Sequence, residues 1–146
     1  MATFDEIAAL RGVSEIDSIL QRVSALSLYD SVYEIYRSRF TLARHELSAG
    51  ITDPRPYVFQ ESPLFCWMKF ANPEAADDAI VGAYETTRQM ERAYDRCAEE
   101  VTEQVDTQVP VSTRMSMVVD LLWSRFPMFS KTTIERVNYE WFLGNR

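Results

Sequence analysis

Residues 110–146 read PVSTRMSMVVDLLWSRFPMFSKTTIERVNYEWFLGNR, and this stretch is the best punctuated part of the chain. Met115, Val118, Val119, Leu122 and Phe126 recur at helical spacing, which places them on one face of a helix over 113–126 with Ser112 as N-cap. Leu121 and Trp123 widen that face, so burial on more than one side is expected. Pro127 ends the helix, because proline lacks a backbone donor and disfavours helical geometry at Phe126. A second helix over 131–143 starts behind Ser130 as its N-cap. Phe129 before that cap and Ile134 after it have the spacing of a hydrophobic staple. Ile134, Val137 and Trp141 line one face, and Gly144 stands where a left-handed C-cap residue belongs. The stretch therefore predicts a C-terminal helical hairpin.

The rest of the chain keeps the same period. Thr3-Phe4-Asp5-Glu6 has the form of a capping box before a short helix to Arg11, which Gly12 ends. Ser14 caps the next helix, with Ile16, Ile19, Leu20, Val23 and Leu26 on its apolar face. Residues 27–31 are a soft spot. From there to Ser48 a single helical face is predicted through Val32, Ile35, Tyr36, Phe40, Ala43 and Leu47, closed by Gly50, so helices fill 4–48. Residues 50–62 form the one long loop, since Pro54 and Pro56 forbid a helix there. Within it Tyr57-Val58-Phe59 is the only candidate strand.

Ser62 and Pro63 open a helix over 64–71 in which Leu64, Phe65, Trp67, Met68 and Phe70 leave almost no polar side. Such a helix is buried in a core or in a partner. Asn72 and Pro73 then start the longest element, 73–105, as cap and first helical residue. Its Ala83, Thr87, Met90, Tyr94, Cys97 and Val101 alternate spacings in the manner of a heptad seam. At about 1.5 Å per residue it would span roughly 50 Å. That exceeds the roughly 38 Å width of a compact chain of this size. The helix is expected to bend at Gly82 or to project and offer its seam to a partner. Its outer face pairs Arg88, Arg92 and Arg96 with Glu91, Asp95 and Glu99, each pair contributing about 0.2–0.5 kcal/mol. The fold expected is one all-α domain of about six or seven helices, 1–146, around a long central helix.

Composition narrows the functional classes. The 146 residues are 47% hydrophobic and 25% charged, with a formal charge of −7. That suits a soluble globular domain and opposes general attraction to nucleic acid or anionic membrane. Arginines number thirteen and lysines two, and arginine is the better residue for fixed ion pairs and interfaces. No apolar run is long enough to span a bilayer and no signal-peptide pattern opens the chain, so a cytoplasmic or intravirion protein is expected. Cys66 and Cys97 read as buried thiols. With His45 as the only histidine, no zinc set can be assembled. The four glycines are isolated, so there is no phosphate loop. No cofactor, metal or catalytic constellation is expected from the residue pattern.

Two local resemblances qualify this. Residues 121–138 resemble the helix-turn-helix motif of DNA-binding proteins. Ser124 takes the place of that family's small residue, Phe129 its apolar residue before the recognition helix, and Ile134 and Val137 its buried positions. Met128 stands where the family usually has glycine. The resemblance implies that Ser130, Lys131, Thr132 and Arg136 face DNA. The second lies in Arg39-Phe40-Thr41-Leu42-Ala43-Arg44-His45. An arginine and a histidine at about this separation, late in a helix, are similar to the active motif of HEPN-domain ribonucleases. That implies Arg39 and His45 handling the scissile phosphate and the 2′-hydroxyl.

The leading expectation is a non-enzymatic interaction or assembly protein, an oligomer or a component of a larger complex, with a virion or phage-encoded component as candidate context. Its expected anchors are Trp67, Met90, Tyr94, Phe129, Tyr139, Trp141 and Phe142, because aromatic residues dominate interface energetics. The alternatives are a helix-turn-helix regulator and a HEPN-like ribonuclease.

Overall fold

The computed structural model describes residues 4–51 and 58–144. Among these there are eight α-helices and no strand, so the chain is all-α. The order is α1 (Phe4–Ala8), a 3-10 turn (Ala9–Gly12), α2 (Ser14–Val23), α3 (Leu28–Arg37), α4 (Arg39–Ser48), a second 3-10 turn (Phe59–Glu61), α5 (Pro63–Ala71), α6 (Asp77–Gln104), α7 (Val111–Arg125) and α8 (Lys131–Gly144). The helix content expected from periodicity is present, with the long central helix and the C-terminal pair in place. Thr3, Pro54, Pro56 and Tyr57 lie outside the described residues. Phe59 belongs to the second 3-10 turn, so the candidate strand does not form there. The chain divides into two compact units between Glu85 and Thr86, where one domain was expected, and α6 contributes to both.

In the first unit, Ile7, Ile16, Ile19, Val32, Ile35 and Leu42 meet α5 and the start of α6 in one apolar cluster. Helix α5 is buried through Phe65, Cys66, Trp67 and Met68, as its near-absence of polar residues required. Ser62 caps it, accepting the Phe65 N–H at 3.1 Å while donating its hydroxyl to the Phe59 carbonyl at 2.6 Å. Ser27 caps α3 by accepting the Asp30 N–H at 3.4 Å. The cap of α2 is the extended Val13, so Ser14 is the first helical residue and not its cap.

Two boundaries differ from the periodic reading, each for a local reason. The helix expected to run to Ser48 is broken at Ser38, whose N–H is shared between the Glu34 and Ile35 carbonyls, both at 3.1 Å. Ser31, Ile35, Ser38, Leu42 and Glu46 form one buried row at three- and four-residue spacing on both sides of Ser38, while Phe40 is 72% and Leu47 73% exposed. Ala43 is exposed with them. The long helix begins at Asp77 and not at Pro73, behind a turn in which the Asn72 carbonyl accepts the Ala75 N–H at 3.1 Å, and the Asn72 side-chain amide serves the preceding helix instead. It donates to Ser31 Oγ and to the Met68 carbonyl, both at 3.0 Å, and so ends α5.

The second unit packs the remainder of α6 with α7 and α8. Thr87, Met90, Tyr94, Cys97 and Val101 are all buried, and Ala83 is buried in the first unit's cluster. The heptad seam is therefore covered by the chain itself, which corrects the expectation that it seeks a partner. Helix α6 runs unbroken through Gly82. Helix α7 starts at Val111 behind Pro110, whose extended backbone serves as the cap position, so Ser112 lies inside the first turn. Trp123 is partly exposed, and its indole N–H donates to the Phe129 carbonyl at 2.9 Å, clamping the turn instead of widening a buried face. Ser130 caps α8, accepting the Thr133 N–H at 3.2 Å. Phe129 and Ile134 are both buried on either side of that cap, as a staple requires. Gly144 is the last residue of α8 and not a residue beyond it.

Candidate interaction face on the C-terminal helix pair

Four of the seven expected anchors, Trp67, Met90, Tyr94 and Phe129, are buried within their own unit. Their apolar mass does need cover, but the chain itself supplies it, so they are core residues and not surface anchors. The other three lie on α8. Tyr139 is 58% and Phe142 40% exposed. Trp141 is half-buried, 5.6 Å from the Tyr94 ring, and its indole N–H donates to Asp95 Oδ1 at 2.9 Å.

Beneath Tyr139, α7 and α8 enclose a groove of about 430 Å³. Met115 and Val119 give it apolar walls, and Asn138 lines it as well. Asn138 is 4% exposed, and its Oδ1 accepts the Tyr94 hydroxyl. Its amide N–H₂ is then the polar group it can turn to a ligand, because an amide offers donors only from its nitrogen. The rim carries Asp120, Glu135 and Lys131. Sequence reading did not single out Asp120 or Asn138. A polar residue at 138, between apolar Val137 and Trp141 on the buried side of α8, was the available signal.

Helix α6 is tied to α7 by Arg125. Arg125 donates to Glu100 at 2.5 Å and to Cys97 Sγ at 3.3 Å. The hydrogen bond it donates to Glu100 raises the arginine's pKa above its usual value. Burial raises both the Tyr94 phenol and the Cys97 thiol, keeping them neutral near pH 7.

No protein-family model matches the chain, and neither a curated protein nor a solved structure matches it. The functional reading therefore rests on the geometry of the chain.

The residues implied by the DNA-binding resemblance lie together at the start of α8. Ser130, Lys131 and Thr132 are exposed and Arg136 is half-buried. Lys131 sits 6.0 Å from the Trp123 ring, over its face. Five residues, 126–130, separate α7 from α8, with Pro127 and Met128 exposed in the turn.

Arg39 and His45 share α4 but have different partners. The Arg39 guanidinium lies 4.0 Å from the Tyr36 ring and 4.6 Å from the Phe40 ring, and donates to the Tyr36 carbonyl at 2.9 Å. His45 Nε2 meets Glu15 at 2.9 Å, on α2. Cys66 and Cys97 are free and buried. Among the described residues no cluster of His, Cys, Asp and Glu is placed to hold a metal ion, and no helix is long and apolar enough to cross a membrane.

Proposed function

We propose that this chain is a non-enzymatic interaction protein that works through the α7–α8 face, as an oligomer or as one part of a larger complex. The observation that carries this reading is the company Lys131 keeps. It shares its groove with Asp120 and Glu135, so a phosphate approaching the lysine also meets two carboxylates, whose repulsion salt screens only over about 8 Å at physiological strength. The formal charge of −7 adds to that repulsion. The exposed Tyr139 and Phe142 on the same helix are of the type enriched in protein interfaces.

Light scattering and duplex binding on one sample test this reading. The expected outcome is a mass above one chain, or a stable complex with a protein partner, that falls in Tyr139→Ser/Phe142→Ser and is unchanged in Lys131→Ala. The exposure of Ser130, Lys131 and Thr132 together favours the second reading, a helix-turn-helix regulator. That reading requires salt-sensitive duplex binding that is lost in Lys131→Ala/Arg136→Ala, with each lost phosphate contact lowering the salt slope by about 1. A monomer with that behaviour would replace the first reading with the second.

A further inference from the structure

We propose that the α7–α8 groove of one copy receives the outward face of α4 from a second copy, so that the chain assembles head to tail. This rests on the interaction reading above and names the partner. The two faces are complementary in kind. After the break at Ser38, Phe40, Ala43 and Leu47 form an exposed apolar stripe along α4. Arginines flank it. Arg39 lies against the Phe40 ring at 4.6 Å, and Arg44, with 73% of its side chain exposed, stands one turn from both Phe40 and Leu47. Arg44 shares the carboxylate of Glu15 with His45, at 3.4 and 2.9 Å, and Glu46 is buried, so two arginines beside the stripe meet one exposed carboxylate.

The groove is the reverse: apolar walls from Met115 and Val119, an exposed tyrosine, and two carboxylates against one lysine. Opposed charges around an apolar centre set register and exclude wrong partners. The lengths agree as well. Phe40 and Leu47 stand about 10 Å apart along α4, and Lys131 and Tyr139 about 12 Å apart along α8. The groove's 430 Å³ has room for more than one apolar side chain. Because the stripe and the groove are different surfaces, the contact is heterologous. It propagates into a ring or a filament instead of stopping at a two-fold dimer.

The test uses two full-length variants altered only at exposed residues, with far-ultraviolet circular dichroism to confirm the fold. One lacks the stripe (Phe40→Ser/Leu47→Ser) and the other lacks the groove (Glu135→Arg/Tyr139→Ser). The wild-type chain is expected to gain mass with concentration. Each variant alone is expected to stay monomeric. Their equimolar mixture is expected to form a discrete dimer, because each retains the half the other has lost. Arg44→Glu mixed with Glu135→Arg should likewise recover association that each single variant loses by about tenfold or more. A mixture that stays monomeric, or a stripe variant that associates like the wild type, overturns the pairing. If association still depends on Tyr139 and Phe142 in that case, the interaction reading survives without it. A monomeric wild type with salt-sensitive duplex binding overturns both.

Discussion

Glu15 meets two basic side chains at once, the His45 ring nitrogen at 2.9 Å and the Arg44 guanidinium at 3.4 Å. The hydrogen bond from His45 is the main reason its carboxyl sits below the ordinary 4.5, with the charges of His45 and Arg44 adding to it. A carboxyl depressed in the folded state stabilises the fold above its unfolded pKa and loses that contribution as pH falls through the folded value. Removing the partner should therefore matter at neutral pH and cease to matter in acid. The melting temperature of His45→Ala is expected below that of the wild type at pH 7, with the two converging below the ordinary carboxylate range. The gap should be small, because the pair is solvent-exposed. Equal melting temperatures at pH 7 would show that the contact contributes nothing. The same variant bears on the ribonuclease alternative. RNA cleavage by the wild type, lost in both His45→Ala and Arg39→Ala with the fold intact, would make this chain an enzyme. The expected outcome is no cleavage. Also at this scale, Ser62→Ala removes a helix cap and is expected to cost about 1 kcal/mol, seen as a lower urea midpoint with an unchanged slope.

At the scale of the element, α4 is the segment where pattern and packing disagree. The expected face put Phe40 and Leu47 inward, but the buried row continues from Ile35 to Leu42, seven residues on and therefore on the same side of a helix. Phe40 and Leu47 lie off that row and are exposed. Leu42→Ala is expected to cost about 2–5 kcal/mol, since it opens a cavity in the first unit's core. Phe40→Ser and Leu47→Ser should each change stability by no more than about 0.5 kcal/mol, as exposed positions do. Urea titrations of the three variants check this, and the opposite ranking would return Phe40 and Leu47 to the core.

For the whole molecule, the division into two units has a built-in reporter. Cys66 is buried in the first and Cys97 in the second. Burial raises both thiol pKa values, and the thiolate is the reactive form. Both are expected to resist alkylation at pH 7 until their unit opens. Mass-spectrometric labelling across a urea series should then show that Leu42→Ala lowers the Cys66 midpoint more than the Cys97 midpoint, and that Leu122→Ala does the reverse. Equal shifts in both cases would mean that the two units unfold as one.

Local chemistry alone determined that this is an all-α chain. It also determined the Ser62 and Ser130 caps, the stop at Pro127, the buried character of 64–71 and of the α6 seam, and the thiol state of both cysteines. Each comes from spacing, from a missing backbone donor or from a side chain's transfer preference, and none needs a distant partner. Tertiary structure decided what those properties were used for. An apolar seam is equally satisfied by a partner or by its own chain, and only the packing of α6 with α7 and α8 shows that Met90 and Tyr94 are core. Asn72 had two helix ends within reach, and Ser31, 41 residues away in sequence, accepts its amide at the end of α5. Asp120, Lys131, Glu135 and Asn138 come from two helices and share a groove only once those helices pack. Spacing within a helix specifies which residues share its face. The surface opposite that face depends on how the helices pack.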